Sequence, residues 1–241
     1  MNSAHTLSQR GLGLVSATVL LALLALAACG GQDTAENTDG TGEDISGSCD
    51  TTAVQGLAKQ ELDEINCIKP GTFTHITARS NLSMGPNVLP FLEKPAADAL
   101  DAALLAHPEK HMTLNSGFRT LGMQYALYQG HSACGVLAAL PGNSNHEGGR
   151  ALDIANYGDW QSAMASHGWR WFGSADRVHF DYTAGGTDVR SLSVLAFQRL
   201  WNRSNPNDKI AEDGSYGPGT ATRLAKTKGS GLPAGPTCTP P

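Results

Sequence analysis

Apolar and polar positions divide the chain into stretches of different period. A nearly unbroken apolar run covers residues 12–28, interrupted only by Gly13, Ser16 and Thr18. Residues 30–48 are polar, with Ile45 the one large apolar side chain. Beyond them the pattern is that of a folded body. Val54, Leu57, Leu62 and Ile65 recur at helical spacing and predict a helix over 53–65. Lys69-Pro70-Gly71 punctuates, and residues 75–77 read as a short strand. Residues 95–107 predict the clearest helix, with Pro95 suited to its first turn. Residues 112–115 read as a strand that leads through a Ser116-Gly117 turn into a helix over 121–129. The stretch 140–150, dense in Pro, Gly, Asn and Ser, reads as loop. A strand at 151–155, a short helix at 160–167 and a strand at 178–182 follow, then helices at 191–202 and 217–226 and a loop from Gly229. Helices and short strands alternate without βαβ regularity or internal repeat. The expected fold class is α+β: a small antiparallel sheet with flanking helices and a C-terminal helical segment.

Composition narrows the classes. Over 241 residues, 40% are hydrophobic and 16% charged, which excludes a wholly disordered chain, a coiled coil and a multi-pass membrane protein. The net charge of -5 is uneven. Residues 30–50 hold six acids and no base, while residues 51–241 balance 16 basic against 16 acidic side chains. With no basic patch or arginine-rich run, nothing suggests nucleic acid as a partner.

Arg10 ahead of the apolar run gives the charged and apolar regions of a secretory signal peptide. An uncleaved anchor helix is the other reading, although 17 residues is at the lower limit for spanning a bilayer. The run ends in Leu26-Ala27-Ala28-Cys29, which resembles the lipobox of bacterial lipoproteins. That resemblance implies removal of residues 1–28, lipid on Cys29, and an exported protein anchored at the cell envelope. An ordinary signal peptide followed by a chance cysteine stays open beside it. Residues 29–50 then read as a flexible acidic tether, too polar to offset its ordering entropy. Four further cysteines remain, Cys49, Cys67, Cys134 and Cys238. An even number in an exported chain predicts two disulfides, with three pairings open. Their wide spacing, without Cys-x-x-Cys, argues against a cysteine metal site.

Two segments carry the candidate chemistry: residues 144–153 and residues 176–180. Period-two geometry puts Leu152 and Ile154 on one face of the first strand and Asp153 on the other. In the second strand it sets Val178 and Phe180 against His179. If both apolar faces meet the core, Asp153 and His179 emerge together on the open face. His146 stands in the loop before the first strand, where Gly148-Gly149 permits a tight turn. Two imidazoles and a carboxylate leave one position of a tetrahedral zinc open, which is the composition of a catalytic site. Asp176, in the turn before His179, is placed to act as base, and Glu147 is the rival.

These residues, spelled S-x-H-x-x-G-x-A-x-D and then D-x-x-H-F, resemble the zinc D-alanyl-D-alanine carboxypeptidases and dipeptidases of bacterial cell walls. Ser116-Gly117-Phe118-Arg119-Thr120, with Gln124 and Tyr128 downstream, is similar to a further motif of that family, as is Pro141-Gly142-Asn143-Ser144. The likeness covers residues 110–182. It implies zinc held by His146, Asp153 and His179, a substrate carbonyl or carboxylate held by Arg119, and a substrate site lined by Ser144 and Gln124. Many members carry Glu at the position of Asp176, whereas some related endopeptidases and phage lysins carry Asp. Near the C-terminus, Asp213-Gly214-Ser215-Tyr216-Gly217 between two helices resembles the loop of helical peptidoglycan-binding modules, though the third helix is lacking. Packing of these helices on the catalytic domain is the alternative.

The expected organisation is thus a zinc peptidase domain over 51–186 with a helical peptidoglycan-binding-like segment and tail over 187–241. The expected activity is hydrolysis of a D-alanine-linked bond in peptidoglycan stem peptides, by a monomer held to the membrane through Cys29. An endopeptidase acting elsewhere in the wall, and a non-catalytic wall-binding lipoprotein, are the alternatives.

Overall fold

The computed structural model describes residues 44–238. The expected signal peptide, the lipidation site Cys29 and most of the tether lie outside them. In chain order the elements are α1 (Gln55–Ile68), β1 (Phe73–His75), β2 (Leu82–Met84), β3 (Phe91–Glu93), α2 (Lys94–Ala106), β4 (Met112–Ser116) and α3 (Leu121–Cys134). Then come β5 (Ala151–Ile154), α4 (Tyr157–Ser166), β6 (Trp169–Trp171), β7 (His179–Tyr182), α5 (Arg190–Ser204) and α6 (Pro218–Leu224). Among the described residues this is an α+β fold with two small sheets.

β1 and β3 form an antiparallel pair, and the larger sheet runs β2-β4-β5-β7-β6. That sheet is mixed: β4, β5, β7 and β6 pair antiparallel, as expected, and β2 joins β4 in parallel. The chain leaves β2, crosses through β3 and α2, and re-enters at β4 in the same direction, as a helical crossover permits. β2, β3 and β6 are missing from the sequence-based reading, because three residues give too few alternations to show a period.

α2 and α4 cover one face of the larger sheet. Leu100 and Leu104 of α2 and Trp160 and Met164 of α4 pack with Met112, Leu114, Leu152, Ile154 and Phe180 in one buried cluster. α2 is a helix for local reasons: Pro95 stands in its first turn, and Ala96, Leu100, Ala103 and Leu104 return to one face.

A second cluster joins helices from both ends of the chain. Leu57 of α1, Leu121 and Tyr125 of α3, Phe197, Leu200 and Trp201 of α5 and Leu224 of α6 pack together. Residues from both sides of the boundary expected between 186 and 187 thus share one buried cluster. Within the 213–217 loop, Asp213 accepts from Gln198 Nε2 at 2.9 Å and Gly214 N–H donates to Gln198 Oε1 at 2.9 Å. The Asp-Gly pair thus holds its own loop against α5.

The tether ends earlier than position 50. Ile45 is buried in the second cluster, its N–H donates to Thr227 O at 2.8 Å, and Ser48 N–H donates to Ala126 O at 3.0 Å. The single apolar residue of a polar stretch is thus the one that docks. α3 runs on past Gln129 through Gly130, where a Cβ would lie 2.4 Å from Ser48 O. Only glycine lets the 44–50 segment lie this close to the helix. Disulfides Cys49–Cys134 and Cys67–Cys238 choose one of the three open pairings. Among the described residues no helix is long and apolar enough to cross a membrane.

Candidate metal centre

Three local structures deliver the site. β5 and β7 pair so that Leu152 lies opposite Phe180 and Asp153 opposite His179. Leu152 and Phe180 are fully buried in the sheet's core, so the pleat turns Asp153 and His179 to the other face. The third structure is the loop before β5, wound around one side chain. The Glu147 carboxylate accepts from Gly142 N–H at 2.9 Å and from Ser144 N–H at 3.1 Å. Gly149, at φ +64°, carries the loop past β3 where a Cβ would meet Glu93 N at 2.7 Å. His146 is thereby brought to the open face.

The three side chains converge. His146 Nε2 and His179 Nδ1 are 3.2 Å apart, His179 Nδ1 is 3.2 Å from Asp153 Oδ1, and His146 Nε2 is 3.3 Å from the same oxygen. Tetrahedral ligands at zinc distances stand about 3.3–3.4 Å from one another. The outer nitrogens fix the tautomers. His146 Nδ1 donates to the carbonyl of Gly117 at 2.7 Å, and His179 Nε2 donates to Asp181 Oδ1 at 2.9 Å. In the neutral rings, His146 Nε2 and His179 Nδ1 therefore point lone pairs at each other and at a carboxylate oxygen. Three acceptors facing one point fit a cation between them, and these residues could hold a metal ion.

Arg119 borders the group, donating from Nη2 to Asp153 Oδ2 and, at 3.1 Å, to His146 Nε2. It is braced by Ser116 Oγ at 2.9 Å and by Gln124 Oε1 at 3.2 Å. Gln124, expected at a substrate site, is not among the residues that line the cleft beside this group. It is fully buried in α3, with its amide donating to Ala139 O at 2.8 Å, and it reaches the site only through Arg119. Ser144, Arg119, Asp176 and the three candidate ligands all border one open cleft of about 1260 Å³. Val136, Leu137 and Phe172, exposed apolar side chains, form its walls. The ring of Phe172 stands edge-on to that of His179 with centroids 5.5 Å apart. Glu147 is absent from this lining. Its carboxylate faces the loop's own backbone.

Charge is unevenly tolerated here. Burial opposes ionisation of Asp153, but the neighbouring His146, Arg119 and His179 side chains hold it well below the usual carboxylate range. Burial and the charge of Arg119 lower His146. For His179, burial works against protonation, yet hydrogen bonds to Asp153 and Asp181 push it up to about 9. A proton and a metal ion compete for its Nδ1. Asp176, half-buried in the turn before β7, is raised by burial and by the charge of Asp153.

Two residues of the site escape sequence reading. Asp181 is buried, accepts from His179, and also accepts from Asn145 Nδ2 at 2.8 Å. The signal for Asp181 is present in the alternation of β7, which puts residues 179 and 181 on one face. Nothing in the spacing marks Asn145. In comparisons with known proteins, no family model and no curated protein matches the chain.

Proposed function

We propose that the protein is a zinc-dependent peptidase that cleaves a D-alanine-linked bond in peptidoglycan stem peptides. The observation that carries this reading is the His146-Asp153-His179 group on the floor of an open cleft, with Asp176 and Arg119 on the same cleft. A zinc ion held by those three residues would polarise a substrate carbonyl and lower the pKa of water. Asp176 takes the proton that the attacking water loses and passes it to the leaving amine. Its raised proton affinity suits that exchange better than an ordinary surface aspartate would. Arg119, braced by Ser116 and Gln124, is the cation beside the metal ligands that can hold a substrate carbonyl or carboxylate. Apolar walls around a charged floor suit a peptide with small uncharged side chains. The order of the motifs along 110–182 is what favours the D-alanine bond over other amides. The two disulfides agree with export to an oxidising compartment, and we assign the chain to the cell envelope, anchored through lipid on Cys29.

A second reading, cleavage within the wall peptide instead of at its end, draws support from the cleft's extent. It continues past the metal ligands to Asp50 and Thr51 and to residues 85–88, more room than a terminal dipeptide occupies. Incubating the protein with purified muropeptides and reading the products by mass spectrometry tests both. Released D-alanine supports the carboxypeptidase, and shortened cross-links support the endopeptidase. No product with metal-loaded protein removes both and leaves a wall-binding lipoprotein.

A further inference from the structure

The two candidate histidine ligands are oriented by different means. His146 is held by a backbone carbonyl, that of Gly117. His179 is held by a side chain, Asp181, whose own position has to be set. Asp181 lies on the open face of β7, two residues from His179, with Ala151 of β5 opposite it on one side and Arg170 of β6 on the other. Opposite Asp181, Ala151 offers only a methyl group, and the side chain of Asn145 reaches in. The same Asp181 Oδ1 that accepts from His179 accepts from Asn145 Nδ2 at 2.8 Å. Arg170 is a weaker partner: its side chain is 70% exposed and it stands 3.5 Å from Oδ2.

Asn145 is placed to tie two parts together. Its carbonyl accepts the N–H groups of Gly148 at 3.2 Å and Arg150 at 3.0 Å, which closes the loop's turn. Its side chain crosses to β7. The residue that follows it is His146. One asparagine therefore connects the loop that carries the first imidazole to the carboxylate that orients the second.

We infer that Asn145 and Asp181 form a clamp that sets the spacing and tautomers of the metal-binding imidazoles, acting as positioning residues outside the ligand set. The inference rests on the metal reading of the site but not on the peptidase reading. In the clamp, Asp181 fixes the proton of His179 on Nε2 and so frees Nδ1 for the metal. Asn145 holds Asp181 to the loop and keeps His146 Nε2 within 3.2 Å of His179 Nδ1. Outer-shell carboxylates of this kind typically contribute about 10- to 100-fold in metal affinity.

The full chain, stripped of metal and titrated with Zn²⁺ against a chromophoric chelator, tests this. Co²⁺ absorption reads the coordination geometry independently of activity. Asp181→Ala should weaken Zn²⁺ binding by about 10- to 100-fold and alter the Co²⁺ spectrum. Asn145→Ala should do so in the same direction to a smaller extent. The double variant should be no weaker than Asp181→Ala, because Asn145 acts through Asp181. Arg170→Ala should bind as wild type does. If Asp181→Ala does not fold, the shape-conserving Asp181→Asn replaces it, with a smaller loss in the same direction. Wild-type affinity and spectrum in a folded Asp181 variant would overturn the clamp, as would additive losses in the double variant or an Arg170→Ala loss equal to that of Asp181→Ala. A wild-type chain that binds neither ion would instead remove the metal reading itself.

Discussion

Two pairs of buried carboxyl groups differ in what surrounds them. On the open face of the sheet, Asp153 and Asp181 are acidified: Asp153 well below the usual range, Asp181 down to about 2. In both, burial works against ionisation, and imidazole and guanidinium partners overcome it. On the side facing α1 and α3, Glu147 and Glu61 are pushed up to about 8, burial being the leading cause in each. Their partners include backbone N–H groups, those of Gly142 and Ser144 for Glu147 and that of Gly122 for Glu61. Amide donors soften the desolvation of a carboxylate without cancelling it, whereas a full positive charge does cancel it. The sheet side thus holds acidified carboxyl groups set among imidazole and guanidinium partners. On the helical side, Glu147 and Glu61 hold backbone N–H groups of the loop before β5 and of the first turn of α3. This separation is the reason to give the chemistry to the first set and scaffolding to the second.

The hardest test of that division is the metal itself. Purified wild-type protein should carry about one zinc per chain, and His146→Ala or Asp153→Asn should carry almost none. Elemental analysis measures this directly. Glu147→Gln and Glu61→Gln should keep their metal. Metal retained in both ligand variants would dissolve the contrast between the two sides.

Next in size is the choice of base. Asp176→Asn should keep zinc yet lose about 10²- to 10⁴-fold in turnover, as removal of a general base does. Glu147→Gln should stay within a few-fold, because its carboxyl group is absent from the cleft lining and engaged with the loop's backbone. Turnover of a synthetic stem peptide, scored beside metal content, compares them. A collapse in Glu147→Gln with near-normal Asp176→Asn would move the chemistry to the helical side.

Legibility followed the same line. The convergence of Asp153 and His179 can be read from two short alternating segments, since a pleat leaves only two faces and Leu152 and Phe180 claim the buried one. The position of His146 is less legible, because it depends on Glu147 winding the loop and on Gly149 passing β3 at a positive φ. Asp181 has a signal in β7, but Asn145 has none, for its partner is 36 residues away. The strands of three residues leave no period to detect. Ile45 shows how far composition can mislead: one apolar side chain and a disulfide at Cys49 help hold down residues 44–50, the end of a stretch whose average is that of a linker.

The disulfides sharpen the contrast at intermediate scale. Both bridges use an α1 or α3 cysteine, Cys67 or Cys134, and none touches β4, β5 or β7. Cys67–Cys238 joins residues 171 apart, so its loss frees a long loop in the unfolded chain. Replacing both cysteines with serine should cost about 2–5 kcal/mol in urea unfolding while metal content stays unchanged. Loss of metal in the bridge-less variant would mean that the two sides are not independent.

The last test concerns the helical side alone. Glu61 ionises near 4.5 when exposed and near 8 in the folded protein. Between those values the unfolded chain has released a proton that the folded chain retains. Each rise of one pH unit in that window therefore favours unfolding by up to about 1.4 kcal/mol. The stability this group contributes is whole below about 4.5 and is lost as pH rises through about 8. Glu61→Gln keeps the length of the side chain and an oxygen to accept from Gly122, and it does not titrate. Wild type should accordingly lose stability relative to Glu61→Gln between pH 5.5 and 8.5, and the variant should be the more stable of the two at the upper end. Glu147, raised for the same reason, leaves a residual slope in the variant that Glu61→Gln/Glu147→Gln should flatten further. Urea unfolding at several pH values reads these slopes. Parallel pH profiles for wild type and Glu61→Gln would show that Glu61 is ionised in the folded protein, and the two pairs of carboxyl groups would then no longer differ in kind.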